Sequence, residues 1–399
     1  MTHTTENKYR ICSAWIIICG LLYIFAYQFK WPFKADLFLY GMVIGLVAMA
    51  FLANRVIINK QFILFLIIDV VAFFGILRTK NTTAGLREAI LFAFFAGTFA
   101  LSLVNPAFIK AFVKWIYLIS VFVILSSLLQ FLIPDRFNEW MRSILRSDAY
   151  SQHMWSYVVD SAFAGIAAYT PNTTFSAAIV FGHSFLSLSG RKDGLTIKNK
   201  AVNVALMVFA LLTIVLCSKR GVFVATILAA AVLMCYIYRN RNLILRIAGA
   251  LLAAVVALMV LYQTNDYVRA FLNRFLSEDF TTGRAEIYHA LLTDLQEGNL
   301  LIGMGTGATY ALAEKGAHNI YLQILYDHGI LLSIPYYAFL IYNYYLAFKK
   351  NSPLSVFVQT LFLVYGLTGN PLYSNMFMMI YIYYVLYSVI EPDRRQGDV

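Results

Sequence analysis

The segment around residues 281–297 carries a side chain suited to binding phosphate. Arg284 lies close to the start of a predicted amphipathic helix, and backbone N–H groups at a helix N-terminus already favour an anion. An arginine at such a position is suited to clamp a phosphate through charge-assisted hydrogen bonds. The alternative is a surface ion pair with Glu286 or Asp279. The sequence therefore indicates either a phosphate clamp or a solvated salt bridge.

Three alternating glycines follow at Gly303, Gly305 and Gly307. Successive backbone amides of such a loop can form a concave nest for phosphate. The spacing does not match a dinucleotide-binding fingerprint, and no strand–helix–strand unit surrounds it. The other interpretation is a tight loop.

His318 lies where this segment meets the next apolar run. An imidazole titrates near neutral pH and is a candidate general base for activating a hydroxyl. The alternative is an ordinary polar residue at the membrane interface. Asn319 either orients His318 or caps the helix that follows.

Two further positions carry ionisable groups next to or inside apolar runs. Lys219 and Arg220 lie in a short turn between two predicted spans, where cations either serve function or extend to the interface. His183 lies within a predicted span. Intramembrane ionisable groups are costly and often functional, so His183 is either a substrate contact or an interior hydrogen-bonded residue.

The composition shows which elements must position these groups. Of the 399 residues, 61% are hydrophobic and 13% are charged, against roughly half and a quarter in soluble domains. This excludes a soluble enzyme, a disordered chain and a disulfide-stapled secreted module. At ~20 apolar residues per span, we expect an all-α polytopic membrane protein with about twelve transmembrane helices. The predicted spans are 11–27, 37–53, 62–77, 89–104, 111–133, 172–189, 201–217, 221–238, 243–262, 319–347, 354–369 and 372–390.

The charges predict the sidedness of these helices. An even number of spans places both termini on one side, and the short basic loops mark that side as cytoplasmic. The longer segments 134–171 and 263–318 then lie outside and carry most of the acidic residues. We expect membrane helices over 1–262, an outer catalytic loop over 263–318, and further helices with a short cytoplasmic tail over 319–399.

The net charge of +11 is spread over the loops rather than gathered on one face. This distribution argues against a nucleic-acid partner. No His, Asp or Glu cluster has metal-ligand spacing, so we expect neither a metal nor another cofactor.

Taken together, the motifs resemble those of the O-antigen ligase and polymerase superfamily across about residues 200–345. The matching segments, in order, are Ser218–Gly221, Gly283–Tyr288, Gly303–Gly307, His318–Leu322 and Asp327–Gly329.

This resemblance implies a fold similar to glycosyltransferase C and a transfer of glycan from undecaprenyl diphosphate. It places the reaction at the periplasmic face of the bacterial inner membrane, as a metal-independent, inverting displacement. It implies that Arg220 and Arg284 clamp the diphosphate leaving group and that His318 is the base for the acceptor hydroxyl. Lys219 is the point of difference, and it adds a third phosphate contact or shares the work of Arg220.

For the remaining positions, we expect substrate contacts at Tyr288, Asn319, His183 and the three glycines. The short outer loop favours a polymerase that joins the glycan to a lipid-linked repeat unit. The alternatives are a ligase that transfers the glycan to lipid A-core and, in another class, a flippase for lipid-linked oligosaccharides. Expected partners are the undecaprenyl-diphosphate-linked glycan, a lipid-linked acceptor, membrane lipids and a chain-length regulator.

Overall fold

The computed structural model describes residues 3–54, 56–159, 161–190, 197, 199–217, 219–238, 259–260, 262–264, 269, 273, 284–314 and 316–390. Within these ranges the regular structure is helical, apart from one isolated β-bridge between Phe29 and Leu145. The α-helices are α1 (His3–Phe25), α2 (Asp36–Ala53), α3 (Lys60–Ile76), α4 (Thr82–Ser102), α5 (Pro106–Leu132), α6 (Pro134–Ile144), α7 (Ser147–Val158), α8 (Thr170–Leu188), α9 (Lys200–Leu216), α10 (Arg220–Tyr238), α11 (Arg284–Glu297), α12 (Thr309–Leu312), α13 (Ile320–Lys349), α14 (Pro353–Tyr365) and α15 (Asn375–Ile390). Two 3₁₀ turns, Gly165–Ala167 and Pro371–Tyr373, complete the list.

Asparagine marks the start of several helices. The side chains of Asn59, Asn81, Asn105 and Asn199 accept a backbone N–H from the first turns of α3, α4, α5 and α9, at 2.9 to 3.3 Å. Each bond satisfies a donor that a helix N-terminus leaves without an intrahelical partner. The starts of these helices are therefore determined by residues that are close in the sequence.

Among the described residues, six helices are long and apolar enough to cross a membrane, and they lie within α1, α2, α4, α5, α10 and α13. The helices α9 and α14, together with Met376–Ile390 of α15, are shorter but also apolar. Large apolar side chains such as Phe51 (80% exposed) and Ile341 (69% exposed) point outward, as a lipid environment allows. The chain is therefore a multi-pass membrane protein. The count of about twelve spans stays a prediction, since most of the predicted span 243–262 lies outside the described residues.

Helix α15 runs through the centre of the bundle. From Met376 to Tyr387 no side chain is more than 5% exposed, and α15 packs against α4, α5, α8, α13 and α14. A helix that is apolar on every side is stable only when it is surrounded. The bundle is therefore arranged around this last helix.

The segment that follows α5 folds as the short helices α6 and α7. Between them, the buried His153 Nε2 lies 3.0 Å from Asn138 Oδ1 and 3.2 Å from Gln130 Nε2. Burial lowers the pKa of His153 to about 4, because the folded protein disfavours the charged imidazole.

Candidate functional site

The three predicted catalytic segments meet at one turn, residues 366–370, which follows α14. This 366–370 turn, with the sequence Gly-Leu-Thr-Gly-Asn, leads into the 3₁₀ turn Pro371–Tyr373. It contacts the start of α10, the start of α11 and the start of α13.

Arg284 is bound directly to the turn. It is the first residue of α11, and its Nη1 donates to the Thr368 carbonyl oxygen at 2.9 Å. A guanidinium has five N–H donors in a planar fork, and this bond uses one of them. The side chain is half-buried. Thr368 therefore orients the guanidinium. The helix is described from Arg284 onwards, close to the start that the sequence predicts.

Arg220 lies beside the same turn, because the next residue, Gly221, packs against it. A Cβ on Gly221 would lie 2.1 Å from Thr368 Oγ1, so the first turn of α10 lies directly against Thr368 and only glycine fits there. Arg220 itself is half-buried. Lys219 closes the first turn of α10, because its carbonyl accepts the Phe223 N–H at 3.1 Å.

The His318 segment lies along the other side of the turn. The Ile320 N–H donates to the Gly366 carbonyl at 2.8 Å. The Tyr288 hydroxyl, one helical turn after Arg284, donates to the His318 carbonyl at 3.4 Å. His318 has a φ of 53°, a left-handed conformation that is disfavoured for a residue with a side chain and that concentrates at functional sites. These contacts connect Arg284 and the backbone of His318 to one set of packed segments around the 366–370 turn.

Tyr288 and Asn319 support these packed segments. Burial raises the pKa of Tyr288, while the Arg284 charge and a hydrogen bond with Asn319 oppose that rise. The phenol therefore remains a donor at neutral pH. Asn319 Oδ1 accepts the N–H groups of Tyr321 and Leu322 at 3.0 and 3.1 Å. Of the two roles predicted for Asn319, the structure shows the helix cap.

The glycine motif is packed inside the protein. Gly303, Gly305 and Gly307 are buried with φ of 73°, 104° and 74°. A Cβ on each would lie 2.4 to 2.6 Å from backbone atoms of neighbouring segments. The Gly303 and Gly305 N–H groups donate to the carbonyls of Asn299 and Asp327, both at 2.8 Å. Because these amides already have acceptors, the geometry favours the tight-loop interpretation over a phosphate nest.

This glycine loop fills a break in α13. Gly329 has φ 65° and ψ −173°, which interrupts the helix. The Tyr326 carbonyl accepts the Met304 N–H at 2.9 Å, and the Ile330 N–H donates to the Leu300 carbonyl at 3.0 Å. Backbone groups released by a broken helix need such partners when buried. The Gly-x-Gly-x-Gly and Asp-x-Gly motifs therefore form one packing unit beside the site.

The sequence prediction assigns no role to several polar residues of this region. Arg78 follows α3 and donates through Nη1 to the Gly303 carbonyl at 3.2 Å, and burial lowers its pKa. The Asp327 carboxylate accepts the Thr309 N–H and hydroxyl at 2.9 and 2.8 Å. Thr368 and Glu88 belong to the same group. The sequence signal for Thr368 is a glycine-rich interruption between two spans, and the signal for Glu88 is a single acidic residue near the start of a span.

His183 lies in the core and not at the 366–370 turn. Its Nε2 is 2.7 Å from the Tyr384 hydroxyl, and its ring stacks on Tyr117 with centroids 4.4 Å apart. On the same helix, Phe175 contacts Tyr365 beside the turn, and His183 follows eight residues later, ~12 Å further along the axis. The interior interpretation fits this position.

Among the described residues, no group of three or more His, Cys, Asp or Glu side chains is placed to hold a metal ion. The segments that meet at the 366–370 turn bring cationic and hydrogen-bonding side chains to it.

Comparison with known proteins bears on the middle of the chain. No curated protein matches the chain. A protein-family model described as O-antigen ligase matches residues 205–337, one third of the chain. The matched region runs from α9 into α13 and includes Arg220, Arg284, the glycine motif and His318. By this match, residues 205–337 are similar to the family described as O-antigen ligase.

Proposed function

We propose that the protein is a polymerase of O-antigen or a related surface polysaccharide. It transfers a glycan from undecaprenyl diphosphate to a hydroxyl of a lipid-linked repeat unit. The observation that carries the proposal is the convergence of the Arg220, Arg284 and His318 segments on the 366–370 turn. These segments are separated by 64 and 34 positions in the sequence, and a shared anchor supports a shared substrate.

The chemistry follows from the residue types. The acceptor hydroxyl attacks the anomeric carbon as His318 takes its proton. The bond from that carbon to the diphosphate oxygen breaks, and undecaprenyl diphosphate leaves. A single displacement of this kind inverts the anomeric configuration. Arg220 and Arg284 stabilise the charge that develops on the diphosphate, so the reaction proceeds without a metal ion. General-base help contributes ~10²–10⁴ in rate.

The site faces the periplasm and the protein lies in the bacterial inner membrane, with both termini in the cytoplasm. The isoprenoid tail of the donor enters between helices while the diphosphate meets the two arginines. Lys219 adds a third cation beside Arg220. A chain-length regulator is a further partner in this scheme.

A ligase that transfers the glycan to lipid A-core is the second candidate, and the description of the matching family favours it. The polymerase is preferred because the outer segment 263–318 is small for a protein that must also hold lipid A-core. Both activities use the same clamp and base, so they differ in the acceptor alone.

The test is the glycan profile of a host that lacks the gene, complemented with wild type or with His318→Ala. We expect single repeats on lipopolysaccharide without the gene and a ladder restored by wild type. His318→Ala leaves the single repeats. His289→Ala is the matched control, because His289 is exposed on α11 and we expect it to restore the ladder.

Two other outcomes would change the assignment. Chains that accumulate on undecaprenyl diphosphate and are missing from lipid A-core indicate the ligase. Full rescue by His318→Ala removes the proposed base and favours the flippase. An immunoblot of the membrane fraction shows whether each variant is present in equal amount.

A further inference from the structure

Next to the His318 segment, three polar side chains from three helices form a buried group. They are Glu88 of α4, Tyr310 of α12 and Gln323 of α13. Gln323 is fully buried and Glu88 is 5% exposed. Gln323 Nε2 donates to Glu88 Oε1 at 3.5 Å, and the Tyr310 hydroxyl lies next to both side chains. Glu88 comes from the first half of the chain, outside the region that matches the family model.

Gln323 connects this group to the residue before His318. Its Oε1 accepts the Ala317 N–H at 3.3 Å, and Ala317 is fully buried. A Cβ on Gly316 would lie 3.0 Å from the same oxygen and 2.4 Å from Asn370 Nδ2. The segment leading to His318 is therefore held between Gln323 and the 366–370 turn.

The backbone at His318 needs such support. Its φ of 53° is disfavoured for a residue with a Cβ, and such a conformation persists only where the surroundings fix it. The Ala317 N–H can only donate, so it faces Gln323 Oε1. The Gln323 Nε2 is then left for Glu88 Oε1, and this second bond holds the amide in its orientation. With Nε2 directed to Glu88, Oε1 is directed to the Ala317 N–H.

We propose that Glu88 is a positioning residue for His318, which it holds in place through Gln323 and the Ala317 N–H. This inference rests on the proposed function, since it takes His318 as the base. Without the Gln323 oxygen, the buried Ala317 N–H loses its acceptor and the segment relaxes away from the left-handed conformation. The arginines that hold the donor stay in place, so the effect falls on the chemical step.

The experiment measures kcat and KM in lipid nanodiscs. The donor and acceptor are undecaprenyl-diphosphate-linked repeat units extracted from the host that lacks this gene. Gln323→Leu is compared with Gln359→Leu, because Gln359 is also fully buried and bonds Ser355 Oγ at 3.0 Å. We expect Gln323→Leu to lower kcat at least ~10-fold, with a donor KM within about twofold of wild type. The control keeps kcat, and melting temperatures report the fold of each variant.

A swap distinguishes positioning from simple packing. Gln323→Glu places two carboxyl groups together and we expect it to be poorly active. Adding Glu88→Gln restores one carboxyl and one amide, with an oxygen still facing the Ala317 N–H, and we expect activity to return. The double variant has the same number of side-chain oxygen and nitrogen atoms as wild type. It therefore tests the positioning role even if Gln323→Leu fails to accumulate.

Three results overturn the inference. They are equal losses for Gln323→Leu and Gln359→Leu, a loss that appears in KM alone, or a swap that does not restore kcat. His318→Ala separates this failure from failure of the proposed function. If His318→Ala is inactive while Gln323→Leu behaves as the control, only the positioning role is wrong. If His318→Ala is fully active, the proposed base is wrong and the positioning role falls with it.

Discussion

Replacing Arg284 by lysine tests the diphosphate clamp most directly. One N–H of the guanidinium is already committed to the Thr368 carbonyl at 2.9 Å, which leaves the rest of the planar fork for phosphate oxygens. A lysine ammonium keeps the charge on a flexible stem but cannot hold the Thr368 carbonyl and two phosphate oxygens in a fixed geometry. Loss of one preorganised donor to a developing negative charge costs ~10²–10³ in kcat, or about 3–4 kcal/mol.

The assay is single-turnover transfer between lipid-linked repeat units in nanodiscs, with Arg284→Lys and Arg284→Ala compared with wild type. We expect ~10²-fold loss for lysine and a larger loss for alanine. Arg142→Lys is the matched control, because Arg142 is exposed on α6 and we expect full activity. Arg284→Lys with activity equal to the control would refute the clamp and favour a surface charge.

Three further results are expected. Gly221→Ala places a Cβ 2.1 Å from Thr368 Oγ1, so it should displace the residue that holds Arg284 and lower the transfer rate. Adding Thr368→Ala should restore part of that rate, and additive losses would contradict the contact. Gly303→Ala and Gly190→Ala both place alanine at positive φ, which costs ~1–2 kcal/mol of stability, but Gly190 faces open space. The melting temperature should fall further for Gly303→Ala, and equal falls would disprove tight packing at Gly303. Protonation of His153, whose pKa lies at about 4 in the fold, favours unfolding; stability should be full above pH ~6.5 and should fall by up to ~1.4 kcal/mol per pH unit towards pH 4. His153→Gln should remove this slope, and an unchanged slope would assign it to another group.

Much of the architecture was predictable because it is local. Long apolar runs exclude a soluble fold wherever they occur, since a helix satisfies its own backbone in lipid. The starts of α3, α4 and α5 are marked by capping residues, Asn59, Asn81 and Asn105. Such caps can be recognised locally, because capping needs only the next three residues.

The roles of individual polar residues were less predictable. The glycine motif was open to a phosphate nest or a tight loop, and only the break at Gly329 shows which backbone groups its amides serve. His183 looked like a costly intramembrane ion until Tyr384 and Tyr117 proved to surround it. Such partners lie far away in the sequence, so no local pattern identifies them.

The sequence by itself determined that the chain is a helical membrane protein, which residues are of types suited to phosphate binding and base chemistry, and which superfamily they resemble. Tertiary structure alone decided that Arg284 is held by the Thr368 carbonyl and that Gly221 brings Arg220 to the same turn. It also placed Glu88 of α4 beside Gln323 of α13. The physical reason is that helix formation and capping depend on neighbours within a few residues, whereas a site depends on which helix faces pack together. That packing is set by side chains hundreds of positions apart.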